Sequence, residues 1–483
     1  MAAPYCGNMT SLADDGYDRF QQYGISHSIT GVNMKKHGII RKKQRKMHIQ
    51  ITAGTPVLSV LSSLLLMFSL TGCSSDSAEG YVYYLNYKPE ADEAWQKLAD
   101  EYTSLTGVGV KIVTAASGSY NDTLSSQMNK TKCPTMFVCT NAQSLENWHD
   151  YCYDLRGSKL YDMLGSEDYC MYGEDGSLCA IGYCYEAYGL ITNISLLEKS
   201  GHTLDEIHDF ASLKAAAEDI HSRRNELGFD AFTSSGLDSS SSWRFSGHLA
   251  NLPLFYEFRD NNVTVQPSEI SGKYIGLYKN IWDLYIQNGT AEKNALGTAK
   301  GNTAEEEFGS GRAVFFQNGS WEYQSLTAAD KFGMSPDSIT MLPIYCGADG
   351  EENAGLCCGT ENYWAVNSRT DQKNIDATLD FLYWVVSSDA GRKMMAEQFG
   401  ATPFKDHLPC ENGFLNDAER MSNEGKYTVA WRFGFTPNTE AWRSGVTSAL
   451  MDYSSGSGEW QEVESAFVNG WKYQYKLEHR ILE

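Results

Sequence analysis

The chain has 483 residues, of which 42% are hydrophobic and 21% charged, a composition typical of a folded protein of two or three domains and not of a disordered or fibrous chain. Its 61 acidic residues outnumber its 39 basic residues and give a net charge of −22. This charge argues against nucleic acid and anionic membranes as partners, because both are bound by clustered cations, and it also disfavours an anionic substrate.

The amino-terminal segment has the pattern of an export signal. A basic stretch at 35–46 precedes an apolar run at 57–70, which is shorter than the ~20 residues that a membrane-spanning helix needs. The run ends in Leu-Thr-Gly-Cys, which resembles the lipobox of bacterial lipoproteins. We therefore predict a signal peptide at 34–72, lipidation of Cys73, a lipid-anchored linker at 73–80 and a non-native upstream extension at 1–33.

Ten cysteines remain beyond Cys6 and Cys73. Export permits disulfides and an even number allows them, but the spacing does not show their pairing, and free thiols serving as small buried apolar residues fit equally well. No Cys-x-x-Cys pair and no Cys/His cluster at zinc spacing occurs in the sequence. We therefore predict neither a metal site nor a cofactor.

The first elements beyond the linker form a β-α-β unit. A β-rich segment at 81–87 is followed by apolar residues at helical spacing from Trp95 to Leu105, then by Gly107 and a second β-rich segment at 110–117. This alternation predicts an α/β fold with a parallel sheet. A third short strand is expected after Pro134.

Further along the chain, turn signals alternate with helical patterns. Asp175-Gly176 and Asp349-Gly350 each predict a hairpin. Helices are predicted over Phe210–Gly228 and Gly272–Gly289, each closed by its glycine, and a helix pair is predicted over 377–400.

The order and spacing of several segments resemble the extracellular solute-binding proteins of ABC importers, in the carbohydrate-binding branch that includes maltose-binding protein. The segments are the leader with its lipobox, NYKPEADEAWQKLADEYTSLTG, YEAYGLITN, FQNGSWEY and the helix pair. The resemblance implies a two-lobed periplasmic-binding-protein-like fold (class II), with two parallel-type sheets, flanking helices and a hinge. It places lobe 1 at 80–182 and 351–400, and lobe 2 at 183–350 and 401–483.

The resemblance also implies a monomeric binding protein without catalytic residues, anchored by lipid to the outer face of the cell membrane, with a carbohydrate and the permease subunits as its partners. A sugar site needs aromatic planes for C–H faces and Asp, Glu, Asn or Arg for hydroxyls. The candidates in the matching loops are Tyr87, Glu90, Tyr120, Asn141, Glu186, Tyr188, Trp243, Arg244, Asn318, Trp321, Glu361, Asn362 and Trp431.

Trp321 is the strongest of these candidates for stacking on a sugar ring. Simpler explanations stay open for others. They are helix capping or ordinary loop polarity for Tyr87, Glu90, Tyr120 and Asn141, structural burial for Tyr188, and interlobe packing for Trp431. Two other functions also stay open, a binder of another solute such as a peptide or polyamine, and a secreted glycoside hydrolase. No serine elbow, HExxH or GxxxxGK sequence supports another catalytic class.

Overall fold

The computed structural model describes residues 80–167, 169–400 and 402–481. The predicted extension, the signal peptide, Cys73 and nearly all of the linker lie outside the described residues. The strands are β1 (Tyr81–Asn86), β2 (Gly109–Thr114), β3 (Met136–Cys139), β4 (Cys170–Tyr172), β5 (Leu178–Gly182), β6 (Glu186–Asn193), β7 (Asp230–Phe232), β8 (Ala313–Gly319), β9 (Ile339–Leu342), β10 (Ala354–Gly359), β11 (Tyr363–Val366) and β12 (Tyr427–Ala430).

The helices are α1 (Asp92–Thr106), α2 (Tyr120–Met128), α3 (Ala142–Trp148), α4 (Lys159–Asp162), α5 (Ile194–Lys199), α6 (Phe210–Ser222), α7 (Arg224–Leu227), α8 (Asn251–Asn261), α9 (Ile275–Gln287), α10 (Gly301–Gly309), α11 (Glu322–Thr327), α12 (Gln372–Ser387), α13 (Asp389–Gln398), α14 (Gly413–Asn423), α15 (Thr439–Ser455) and α16 (Trp460–Glu478). The predicted helix over Phe210–Gly228 is therefore two helices that meet at Arg223.

The first sheet has the strand order β2-β1-β3-β11-β5-β4. β1 runs parallel to β2 and β3, and α1 between β1 and β2 buries Trp95, Leu98 and Tyr102. Gly107 ends this helix in the left-handed conformation at φ 80°, which glycine adopts at little cost. The predicted β-α-β unit and its parallel strands are confirmed.

The second sheet has the order β12-β10-β6-β8-β7, and β9 also pairs with β6. All eight residues of β6 are buried, as expected for a central strand covered on both faces. The chain passes from the first sheet to the second between β5 and β6, returns between β10 and β11, and passes to the second lobe again between α13 and α14. Each sheet with its helices forms one lobe, and the predicted two-lobed α/β fold is confirmed. Both sheets are mixed and not parallel throughout, since β11 runs antiparallel to β3 and β5, and β6 runs antiparallel to β8, β9 and β10.

One predicted hairpin forms and the other does not. β4 and β5 pair antiparallel around Asp175-Gly176, as predicted. The hairpin at Asp349-Gly350 is wrong, because β9 and β10 each pair with β6 and not with each other. The Glu351 carboxylate instead accepts hydrogen bonds from the backbone N–H groups of residues 346, 347 and 348, which fixes a wider loop.

The sheet order also corrects one lobe boundary. β10 belongs to the second sheet, so the predicted return to the first lobe at residue 351 comes too early, and the crossing falls at 360–362. The other predicted boundaries stay predictions.

The ten cysteines of the described residues are free thiols, six of them buried, which agrees with the alternative of small apolar core residues. Within the described ranges, no helix combines the length and the apolar character required to span a bilayer.

Candidate ligand-binding cleft

A cavity of about 1180 Å³ lies between the two lobes. Its walls are formed by the loops that follow β1, β2 and β3 on the first lobe and β7, β8 and β12 on the second. Ligands of open α/β sheets bind beyond the carboxyl ends of the strands, where such loops meet. The lobes also touch at the rim: a Cβ atom on Gly118 would lie 2.6 Å from the carbonyl oxygen of Ser239.

Three tryptophans of the second lobe gather around one histidine. The ring centroids of Trp243, Trp321 and Trp431 lie 5.0, 5.5 and 6.0 Å from that of His248. The tryptophans come from three different loops, and each is half-buried. We call Trp243, Trp321 and Trp431 the tryptophan cluster. It gives the cleft a broad aromatic surface on the second lobe.

Two glycines allow the indoles to lie against the sheet. A Cβ atom on Gly319, at the end of β8, would come within 2.2 Å of the Trp321 ring, and one on Gly359, at the end of β10, within 2.6 Å of the Trp431 ring. Any larger residue would push these rings outward. The Trp321 Nε1–H also donates to Asn318 Oδ1 at 3.0 Å, which fixes the orientation of the ring.

His248 forms the floor beneath the tryptophan cluster. It lies in the π-helical segment Arg244–Leu249, and its ring stacks on Tyr188 at 4.1 Å with 5° between the planes. Burial, with nearby cations, lowers the pKa of His248 well below its ordinary value, so the imidazole is neutral. Its Nδ1 has no hydrogen-bond partner in the part of the chain that the structure describes.

Arg244 supplies a cation at the same wall of the cleft. Its side chain is 1% exposed, and its Nη2 donates to the Ser234 carbonyl oxygen at 2.9 Å. Among the described residues, Nε and Nη1 have no hydrogen-bond partner. Burial lowers the pKa of Arg244 to about 10. A buried guanidinium with unused donors is costly, and a ligand that brings acceptor oxygens would remove that cost.

The first lobe offers mainly polar and phenolic groups. The rings of Tyr87 and Tyr120 meet edge to face at 5.2 Å. The Tyr120 hydroxyl is engaged within its own lobe, since it accepts from Val138 N at 2.7 Å. Asn141 Oδ1 accepts from Ser144 N at 2.8 Å and so caps α3. Helix capping, the simpler explanation, therefore holds for this oxygen, although the residue also lines the cavity.

Eleven of the thirteen predicted residues line the cavity: Tyr87, Glu90, Tyr120, Asn141, Glu186, Trp243, Arg244, Asn318, Trp321, Glu361 and Trp431. The other two do not. Tyr188 is fully buried behind His248, and its hydroxyl donates to the His248 carbonyl oxygen at 2.9 Å. Asn362 is also fully buried and donates to Glu186. Contact of the eleven with a ligand stays a prediction.

Sequence reasoning missed His248, Glu322, Glu305 and Arg443, which also line the cavity. His248 lies within an apolar segment, and Arg443 lies on the long helix α15, so neither stands out from its surroundings. Glu322 directly follows Trp321 in QNGSWEY, and this position beside the predicted stacking residue could have indicated that Glu322 lines the cleft. Among the described residues, no group of His, Cys, Asp and Glu side chains could hold a metal ion.

Two carboxyl groups in the cleft have raised pKa values. Burial raises the pKa of Glu361 to about 7. Burial is the larger cause that raises the pKa of Glu322 to about 8, and the neighbouring charge of Glu305 is the second. Asn318 Nδ2 donates to Glu322 Oε1 at 2.7 Å. Near neutral pH these groups are partly protonated, so they can donate as well as accept hydrogen bonds to ligand hydroxyls.

We expect Glu361→Gln to change how stability depends on pH. A carboxyl whose pKa rises from 4.5 to about 7 on folding binds its proton more tightly in the folded state. The wild type should therefore lose stability relative to the variant as the pH rises through this window. Urea unfolding of both proteins at about pH 5 and about pH 8 measures the difference. Glu101→Gln, on the exposed surface of α1, is the control, and parallel pH profiles for wild type and Glu361→Gln would contradict the expectation.

Two α/β lobes enclose a cleft, and both lobes contribute to its walls. This arrangement is that of a two-lobed binding protein. The family model described as bacterial extracellular solute-binding protein matches residues 97–420. The chain therefore belongs to this family, and the family predicted from the sequence is confirmed. No curated protein matches the chain in sequence.

Solved structures share the fold. The chain is similar to the raffinose complex of the solute-binding protein RafE, with a TM-score of 0.64, 16% identity, and coverage of 82% of this chain and 99% of that one. A chitin oligosaccharide binding protein gives a TM-score of 0.64 and 16% identity, with coverage of 84% of this chain and 99% of that one. A sugar transporter protein from Bacillus licheniformis in complex with stachyose gives a TM-score of 0.61 and 16% identity, with coverage of 81% of this chain and 100% of that one.

Proposed function

We propose that the protein captures a carbohydrate in its cleft and, as a monomer, delivers it to the membrane subunits of an ABC importer. The observation that carries this proposal is the tryptophan cluster, which lines the cavity with three indole rings from three loops. Sugars offer flat C–H faces that pack on aromatic planes. The sugars named for the structural neighbours, raffinose, chitin oligosaccharide and stachyose, support the same class of ligand.

The dimensions of the cleft favour an oligosaccharide. Its volume of about 1180 Å³ exceeds the roughly 300–1,000 Å³ of an ordinary small-molecule pocket. The partners for hydroxyl groups are distributed along it, with Arg244 and Glu322 at the second lobe and Glu361 beside the crossing between lobes. A single sugar ring would leave most of these groups unused.

A thermal-shift panel tests this proposal. Raffinose, stachyose and chitin oligosaccharides should include at least one ligand that raises the Tm, since a ligand that binds only the folded state stabilises it by about 2.7 kcal/mol at 100 times its Kd. Glucose tests the preference for length, and spermidine tests the polyamine alternative. A rise with spermidine and with none of the sugars would contradict the proposal.

We also propose that the protein is held at the outer face of the cell membrane by a lipid on Cys73. The order of basic residues, apolar run and Leu-Thr-Gly-Cys in the leader supports this. Cells labelled with a fatty-acid analogue should incorporate it into the wild type and not into Cys73→Ala. Equal labelling of the two proteins would rule out this site.

The cleft should bind its ligand without turnover. The extracellular solute-binding family and the lack of a recognisable catalytic motif in the sequence support binding alone. Incubation of the purified protein with its best oligosaccharide should release no new reducing ends. Release in molar excess over the protein would instead favour the glycoside hydrolase alternative.

A further inference from the structure

A buried ion pair crosses the boundary between the lobes. Lys88 follows β1 on the first lobe, and Glu186 begins β6 on the second. Lys88 Nζ lies 2.5 Å from Glu186 Oε1, and the two side chains are 6% and 8% exposed. A pair so well shielded from water stays strongly attractive, and removal of one partner leaves an uncompensated buried charge.

The second oxygen of Glu186 is held by the chain segment that returns to the first lobe. Asn362 Nδ2 donates to Glu186 Oε2 at 2.5 Å. The carbonyl oxygen of Asn362 accepts from Tyr183 N, at the outward crossing, at 2.9 Å. One carboxylate therefore connects the first lobe, two of the three crossing segments and the second lobe. Because both of its oxygens are engaged by the protein, Glu186 is better suited to hold the lobes than to bind a ligand.

The Lys88 ammonium has further partners on both sides of the cleft. Nζ lies 3.0 Å from Glu90 Oε1 on its own lobe and 5.4 Å from the centroid of the Trp321 ring on the second lobe. The ammonium therefore contacts the Trp321 indole, one of the three rings of the tryptophan cluster that lines the cavity. A change in the distance between the lobes at this point would disturb all of these contacts together.

We propose that the Lys88–Glu186 pair, with Asn362, is an interlobe lock that favours the closed arrangement of the cleft. Lys88 is then a positioning residue, which sets the fraction of closed molecules and through it the apparent affinity. The inference rests on the two-lobed fold and not on the identity of the solute. The ligand panel and the test of the lock can therefore fail independently.

Hydrogen–deuterium exchange of the purified protein without added ligand tests the lock. Lys88→Met removes the ammonium and leaves Glu186 buried beside Asn362 alone, so opening that hydrates the carboxylate becomes favourable. Peptides covering the touching rim loops, 115–119 and 238–242, should exchange at least about tenfold faster, which corresponds to about 1.4 kcal/mol less closure free energy. The double variant Lys88→Met/Glu186→Gln removes both charges and should exchange more slowly than Lys88→Met.

Lys273→Met is the control. It breaks the Lys273–Asp260 pair, whose atoms lie 2.7 Å apart within the second lobe and away from the cavity, and it should leave rim exchange unchanged. Rim exchange at the wild-type level in Lys88→Met, or an equal rise in Lys273→Met, would overturn the proposal. If Lys88→Met does not fold, Glu186→Gln alone tests the proposal. This variant keeps a side-chain oxygen for Asn362 and removes only the charge. Faster rim exchange in Glu186→Gln supports the lock, and unchanged rim exchange overturns it.

Discussion

Trp321→Ala should weaken binding of the oligosaccharide by on the order of 2–4 kcal/mol, the loss typical of a central aromatic contact. The indole is half-buried, lies against Gly319 and is oriented by Asn318, so its face is preorganised for a sugar ring. Truncation removes this face from a cleft that closure shields from water. Titration calorimetry gives the affinity, and thermal unfolding of the same samples gives the stability.

Trp384→Ala is the control for Trp321→Ala. Trp384 is also half-buried, but it lies on α12 of the first lobe and packs against Tyr102, with ring centroids 5.2 Å apart, away from the cleft. Its truncation should lower stability and leave affinity unchanged. If Trp321→Ala instead lost about 3–5 kcal/mol of stability and kept its affinity, Trp321 would be a packing residue.

Trp364→Ala should cost about 3–5 kcal/mol of unfolding free energy, the largest stability loss that we predict. Trp364 on β11 is fully buried, stacks on Tyr183 with ring centroids 4.3 Å apart and meets Trp95 edge to face at 5.9 Å. Removal of the indole leaves a cavity among rigid aromatic neighbours that cannot collapse into it.

Urea unfolding measures this loss, and Trp364→Phe is the comparison variant. Phenylalanine refills much of the space, so its cost should be clearly smaller than that of alanine. A loss below about 1 kcal/mol for Trp364→Ala would show that the core of the first lobe does not depend on this ring.

The local patterns of the sequence predicted the fold well wherever one element follows another directly. The apolar spacing from Trp95 to Leu105 and the β-rich segments around it define a β-α-β unit without any knowledge of distant contacts. Asp349-Gly350 shows the limit of such signals. The dipeptide marks a turn, but β9 and β10 both find their partner in β6, and Glu351 holds the loop between them.

The candidate site was predictable to the extent that it lies on loops after strands. Trp243, Trp321 and Trp431 each follow a strand of the second lobe, so they converge at one edge of the sheet. Tyr188 was misplaced because a strand pattern does not say which face meets the cleft. His248 could not be found, because its role depends on packing among residues far apart in the chain.

The central claim is that an oligosaccharide binds on the tryptophan cluster between the lobes. A crystal structure with the oligosaccharide that gives the largest thermal shift tests it most directly. We predict a sugar ring stacked on the Trp321 indole, with hydroxyl groups within hydrogen-bond distance of Arg244 and Glu361. A sugar bound outside the cleft, or inside it without contact to any of the three tryptophans, would contradict the account.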